Sequence, residues 1–259
     1  PVIIKPVDSS GSKGATVIHS WNNLNEAIEF AFSFSRSHRI IVEEFIEKKH
    51  PYLIGGDIFI NEGKVVLWGL LNCHRDNSVN PLVPVGKSYP LMLDEVDEKA
   101  VQDTLQSMVD KLGIRFGSVN VELVVDKNNK VWPIDIGPRA GGNMIPDLLG
   151  MIFGVDVVKM AVLTAMGEKI EENINEGIPF CATHNLHTNQ NGKYKNIEFS
   201  NELENKIIRE CLYKKTGDDV AFFDNAAKAL GIIFMKFNNQ EEMTDILTNI
   251  NEYYSVVVE

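Results

Sequence analysis

The sequence predicts an α+β fold built on antiparallel sheets, and three observations carry that prediction. Apolar runs of strand length recur in pairs across tight polar turns at 61–64 and 127–130, the pattern of hairpins and not of parallel crossover units. Helical periodicity is confined to separate segments, as with Val101, Leu105, Met108, Val109 and Leu112 on one face. At 259 residues, 44% hydrophobic and 24% charged, the chain can bury one large or two modest cores without staples.

Residues 2–5 read as a buried strand already under way, with no initiator Met and no preceding cap, so the chain reads as a fragment. The polar loop Ser9, Ser10, Gly11, Ser12, Lys13, Gly14 leads to a second strand at 15–18 and closes a hairpin. Leu24, Ala27, Ile28 and Ala31 predict a helix from Asn23 that stops near 36–38. Strands are expected at 40–45, 53–60 and 65–71, then a Pro-, Asn- and Gly-bearing loop at 77–90. The helix at 97–112 has Gly113 as its C-terminal cap, and strands at 116–126 and 131–136 follow. A loop at 138–143, a helix at 156–166 and a charged connector at 168–176 come next. A smaller lobe runs from about Ile178 to the end, with strands near 182–187 and 232–237 and a helix at 241–250.

The charge balance excludes several classes of function. With 25 Lys and Arg against 36 Asp and Glu, the net charge of −11 repels a polyanion, so no nucleic-acid partner is expected. No apolar run reaches membrane-spanning length and no signal-peptide pattern is present, so no membrane partner is expected either. Three widely spaced cysteines, Cys73, Cys181 and Cys211, form no metal-binding or disulfide pattern, which fits a reducing cytoplasm.

Two features point to chemistry. A symmetric hairpin about Asn128 and Asn129 pairs Asp126 with Val131, Glu122 with Asp135 and Asn120 with Gly137. Alternation sends Val119, Val121, Leu123 and Val125 to the core and puts Asn120 and Glu122 on the other face. Opposed carboxylates repel unless compensated, and a divalent cation with hard oxygen ligands, Mg²⁺ foremost, compensates them. The alternative is a solvated face of an antiparallel pair. The second feature is the loop 9–14 with Lys5 before it: small residues let backbone N–H groups approach phosphate, and the ammonium adds a point charge. It is not a Walker A loop, and read alone it is an ordinary hairpin tip.

Four blocks in this order resemble the ATP-grasp superfamily of ligases: 1–6 with its Ser/Gly loop, 41–46 (IVEEFI), 116–122 (FGSVNVE) and 134–139 (IDIGPR). The resemblance covers about residues 1–167. It implies two α+β subdomains gripping ATP: a partial lid subdomain at 1–46 and a core with the Mg²⁺ site at 47–168. The tail at 178–259 is similar to the C-terminal lobe of the carboxylate–amine ligase group that includes carbamoyl-phosphate synthase large chain. By this resemblance Lys5 contacts the ATP phosphates and Ser9, Ser10, Gly11 and Ser12 close over them. Glu43, Glu44 and the backbone near Ile46 receive the adenine, and His50 or Asp57 the ribose. Glu122 and Asp135 hold Mg²⁺, with Mn²⁺ an acceptable substitute, and Arg139 and Arg75 meet the γ-phosphate or an acyl phosphate. The chain departs from the family in having Asp135 where Glu is usual and Gly137 where Asn is usual.

The implied activity is an ATP-dependent ligase that makes an acyl phosphate from a small-molecule carboxylate and transfers the acyl group to an amine. Alternatives are a nucleotide-binding subunit without its own catalysis, and bicarbonate activation of the carbamoyl-phosphate type. A homodimer, or a partner chain supplying the N-terminal domain, is the expected assembly. Other conspicuous residues read as structural. His184 and His187, three apart in a strand, point to opposite faces. Cys73 and His74 diverge as strand neighbours. Phe30, Phe32 and Phe34 pack a helix, and the acidic runs at 94–98 and 168–172 are solvated faces or helix starts.

Overall fold

The computed structural model describes residues 1–170, 174–175 and 177–259. Its first unit is a three-stranded antiparallel sheet in the order β2-β1-β3, from β1 (Val2–Pro6), β2 (Thr16–Ile18) and β3 (Ile40–Glu44). Helix α1 (Leu24–Phe34) lies between β2 and β3 in the chain and covers one face: Ile4 and Ile18 pack on Ala27 and Ala31. Alternation leaves Lys5 and Glu43 on the other face. Phe34 also backs the loop 9–14, because a Cβ on Gly14 (φ +75°) would meet Phe34 and Pro6 at 3.0–3.1 Å.

The second unit is an eight-stranded antiparallel sheet. In chain order its strands are β4 (Leu53–Asn61), β5 (Lys64–Arg75), β6 (Pro84–Tyr89), β7 (Gly117–Val125), β8 (Val131–Gly137), β9 (Cys181–Leu186), β11 (Ile207–Leu212) and β13 (Gly231–Lys236). They are ordered β11-β13-β9-β6-β5-β4-β7-β8, with β7–β8 at one edge. Helix α2 (Glu95–Leu112) buries Val101, Leu105 and Val109 against Ile54, Ile58, Val119, Val121 and Leu123 on one face. On the other, α3 (Ile145–Phe153) and α4 (Val157–Ala165) bury Leu148, Leu149, Val157 and Met160 against Phe59, Leu67, Leu71 and Phe234. A small sheet of β12 (Asp219–Val220), β10 (Gly192–Phe199) and β14 (Tyr254–Val258), with α5 (Asn201–Glu204) and α6 (Gln240–Thr248), completes the C-terminal part. Among the described residues no single helix is long and apolar enough to cross a membrane; α3 and α4 pass that test only as a pair bent by 108°.

Several expectations need correction. The segment 77–90 is not all loop: its second half is β6, a central strand whose small and polar sequence VGKSY pairs with both β5 and β9. Its polarity hid it, because Lys87 and Ser88 are buried only with partners from neighbouring strands. Strand β5 runs four residues past the expected end at 71, carrying Asn72, Cys73, His74 and Arg75. Helix α3 and the strands β10, β11, β12 and β14 were not foreseen. The sheet also continues through the C-terminal part without a break, since β9 joins β6 to β13. The connector expected at 168–176 lies partly outside the described residues.

Candidate active site

The β7–β8 hairpin places Glu122 opposite Asp135, Val121 opposite Ile136 and Asn120 opposite Gly137, as expected. Nearer the turn the expected register fails. Val125, not Asp126, faces Val131, because Asp126 N–H donates to Lys130 O (3.0 Å) and Asn129 turns the chain at φ 60°. An extra residue between the partners of Glu122 and Leu123 shifts the register back, beside Pro133 on an edge strand where a missing N–H is tolerated. Two one-residue offsets thus cancel before the carboxylate pair.

Cations surround Glu122. Arg75 Nη2 donates to Glu122 Oε1 at 2.5 Å. Lys5 Nζ pairs with Glu43 at 2.5 Å and adds positive potential at Glu122. Burial pushes the Glu122 carboxyl up, but Arg75, Lys87 and Lys5 outweigh it and hold the group below its ordinary range, so it is ionised at neutral pH. Asp135 lies exposed beside it. Two hard-oxygen carboxylates, one of them ionised by its surroundings, have the donor chemistry that would suit Mg²⁺. Among the described residues no group of three or more His, Cys, Asp or Glu could hold a metal by itself.

Lys87, whose charge acts on Glu122, is a residue that sequence reading missed. It is 8% exposed, on a strand not recognised as one, and its Nζ donates to Cys73 Sγ at 2.6 Å. Gly55, directly opposite Glu122, makes the room: a Cβ there would stand 2.6 Å from Cys73 Sγ and 2.7 Å from Lys87 Nζ. The available signal was an isolated Lys within an otherwise small and apolar run, VPVGKSYP.

Asp57 and His50, the two residues expected at a ribose, both have protein partners. Asp57 is 1% exposed and accepts from Gly141 N–H at 2.9 and 2.8 Å and from Asn120 Nδ2 at 2.8 Å. Burial raises its carboxyl above the ordinary value despite those bonds. It anchors the 138–143 loop over β7. His50 Nε2 is bonded to Asp97 Oδ2 at 2.6 Å. Arg139 is exposed on the same loop, with Nη1 donating to Ala140 O at 2.8 Å.

The Glu43 carboxylate is turned to Lys5, while Glu44 is exposed and Ile46 half-buried in the connector that follows. The loop 9–14 reaches the larger unit: Ser12 Oγ donates to Leu82 O at 2.8 Å, and Gly11 lies against Ala226. Ser9 and Ser10 flank that contact. His184 and His187 do not diverge as expected, because β9 ends at Leu186 and the chain turns; their rings lie 5.4 Å apart. His187 Nε2 is bonded to Asp76 (2.9 Å) and His184 Nε2 to Tyr254 Oη (3.3 Å).

The decisive comparison is with protein families: the profile of the ATP-grasp domain matches residues 1–147, more than half of the chain. The chain belongs to the ATP-grasp family. It is 24% identical over 183 residues to the carbamoyl phosphate synthase large chain, C-terminal section, of Aquifex aeolicus, covering 68% of this chain and 32% of that protein. The corresponding protein of Methanocaldococcus jannaschii is 25% identical over 179 residues, covering 68% and 28%. This ATP-grasp chain therefore spans about a third of the length of the curated relatives it matches. Among solved structures, the L-amino acid ligase of Bacillus licheniformis superposes with a TM-score of 0.82 at 17% identity, over 100% of this chain and 64% of that one. Phosphoribosylglycinamide synthetase of Anaerococcus prevotii gives 0.71 at 23% identity, over 100% and 64%. At these identities the two structures establish the ATP-grasp fold.

Proposed function

We propose that this chain carries the nucleotide site of an ATP- and Mg²⁺-dependent ligase that activates a carboxylate as its acyl phosphate and passes the acyl group to an amine. The observation that carries this reading is the Glu122–Asp135 pair, with Arg75 bonded to Glu122 and the charges of Lys5 and Lys87 acting on it; a Ser/Gly loop that reaches from the smaller unit to the larger one accompanies it. Phosphoryl transfer asks mainly for positioning and charge neutralisation, and this site supplies cations, hard oxygens and backbone N–H groups without a nucleophilic triad. Glu122 and Asp135 are assigned to Mg²⁺, which when bound neutralises charge on the nucleotide phosphates. Lys5 and the loop 9–14 are assigned to those phosphates, Arg75 and Arg139 to the transferred group, and the connector backbone near Ile46 to the adenine. The relatives named above support carboxylate or bicarbonate activation as the reaction class. Their greater length supports a second reading, in which turnover needs a further chain or domain.

Calorimetric titration with a non-hydrolysable ATP analogue, with and without Mg²⁺, tests the site. Metal-dependent binding that disappears in Asp135→Asn is the expected result, and no binding to the wild type overturns the assignment. Phosphate release on adding bicarbonate alone, or a carboxylate with an amine, then separates the two activation chemistries; tight binding with no turnover supports the second reading.

A further inference from the structure

Between the lid sheet and the eight-stranded sheet the chain runs through residues 45–52 without a helix or strand of its own. This connector is nevertheless tied down. Phe45 N–H donates to Pro1 O (3.1 Å), Lys48 forms a bridge to Asp126, and Lys49 N–H donates to Val125 O (2.7 Å). Lys49 Nζ then donates to Asn129 Oδ1 (2.8 Å) and to Asp97 Oδ2 (2.7 Å), and His50 Nε2 meets that same Asp97 oxygen at 2.6 Å.

Asp97 is an unusual residue to find there. An acidic residue in the first turn of a helix gains from the helix dipole while still solvated, so helix formation does not require it to be buried. Here it is 1% exposed, its N–H is already capped by Asp94 Oδ1 (2.8 Å), and its second oxygen, Oδ1, is buried without a hydrogen-bond partner. Burying a carboxylate is costly unless it is paired, and both of its partners come from the connector. Apart from the bond of Phe45 to Pro1, the connector's other backbone ties go to the turn end of the β7–β8 hairpin, whose strands carry Glu122 and Asp135 further on. One frame thus holds both the connector and the carboxylate pair, with Asp126 and Glu122 about 13 Å apart at strand rise.

We infer that Asp97, through Lys49 and His50, is a positioning residue that fixes the connector and so sets the adenine edge of the nucleotide site at a constant distance from the metal carboxylates. This rests on the nucleotide reading above. It also accounts for His50 and Asp97 without giving either a contact to the ligand.

The test compares wild type, Asp97→Asn, the double variant Lys49→Met with His50→Gln, and the conservative Lys49→Arg. Each is titrated with adenosine, with the non-hydrolysable ATP analogue plus Mg²⁺, and with Mg·tripolyphosphate. Expected is a loss of about tenfold or more for adenosine and the analogue in the first two variants, tripolyphosphate affinity within about twofold, and near-wild-type behaviour for Lys49→Arg. Adenosine affinity unchanged in a folded variant, or equal losses for all three ligands, overturns the inference. If Asp97→Asn does not fold, the double variant decides alone, since its side chains lie nearer the surface. If the wild type binds neither adenosine nor the analogue, the nucleotide reading fails separately. Amide exchange at 45–50 then decides the connector's role: faster exchange in the variants, with the lid strands unchanged, upholds it, and no change overturns it.

Discussion

Glu122 is a carboxylate whose environment was built for ionisation, since burial opposes the charge and three cations overcome that opposition. Glu122→Ala should abolish Mg²⁺-dependent analogue binding in calorimetry and leave the circular dichroism spectrum unchanged; retained Mg²⁺ dependence would remove Glu122 from the metal. The proposed phosphate contact of Lys5 is tested by separating base from phosphate recognition: Lys5→Met should weaken ATP roughly tenfold and adenosine hardly at all, and equal losses would argue against that contact. Gly55 is required for space, not for turn geometry. A methyl there collides with Cys73 and Lys87, so Gly55→Ala should cost about 1–3 kcal/mol in urea unfolding, the range of an overpacked core. A neutral result would mean that Lys87 is free to swing away.

At the scale of elements, the site depends on how strand ends and loops are pinned. Asp57 on β4 accepts the Gly141 N–H on both carboxylate oxygens and one bond from Asn120, and so holds the loop that carries Arg139 above β7. Asp57→Ala frees that loop while leaving Lys5 and the carboxylate pair in place. The expected outcome is a large fall in kcat with KM for ATP little changed; a rise in KM alone would show that the loop serves binding only. The same pinning explains the polar strand β6. Its Ser88 and Lys87 are partnered across the sheet by Asn72, His74 and Cys73, which lets a strand of low hydrophobicity sit in the middle of a sheet.

At the scale of the whole molecule, buried histidines lie within the sheet and, through Tyr254, against the C-terminal part. His74 lies between Ser88 and Tyr52, and His184 between Tyr254 and His187. Burial, aided by Lys87 and Arg75, pushes the His74 imidazole down to about 3 from an ordinary 6.5. Burial beside His187 and His74 holds His184 well below the same value, with Asp76 acting weakly in the other direction. Between the folded and unfolded values the unfolded chain therefore binds more protons, so stability rises with pH there and falls on acidification from about 6.5. The slope should approach about 1.4 kcal/mol per pH unit for each histidine. Urea midpoints measured from pH 7.5 to 5 should fall accordingly, and His74→Gln should flatten part of that fall. A pH-independent midpoint would mean that these imidazoles are solvated.

Local chemistry made much of this protein legible in its sequence. Alternation along 117–125 separated the apolar face from Asn120 and Glu122, the Gly113 cap ended α2 at Leu112, and the two polar turns made the sheets antiparallel. These are short-range effects of dihedral preference and periodicity, and they read directly from residue order. The partners of polar residues were not legible. Lys87 and Ser88 looked like loop, the bonds of Asp57 to Gly141 and of His50 to Asp97 left no trace in residue order, and His184 and His187 looked divergent. Each of these depends on groups brought together from distant parts of the chain, and only the tertiary structure could decide it. A buried polar side chain takes its role from whichever partner satisfies it, and sequence spacing does not specify that partner.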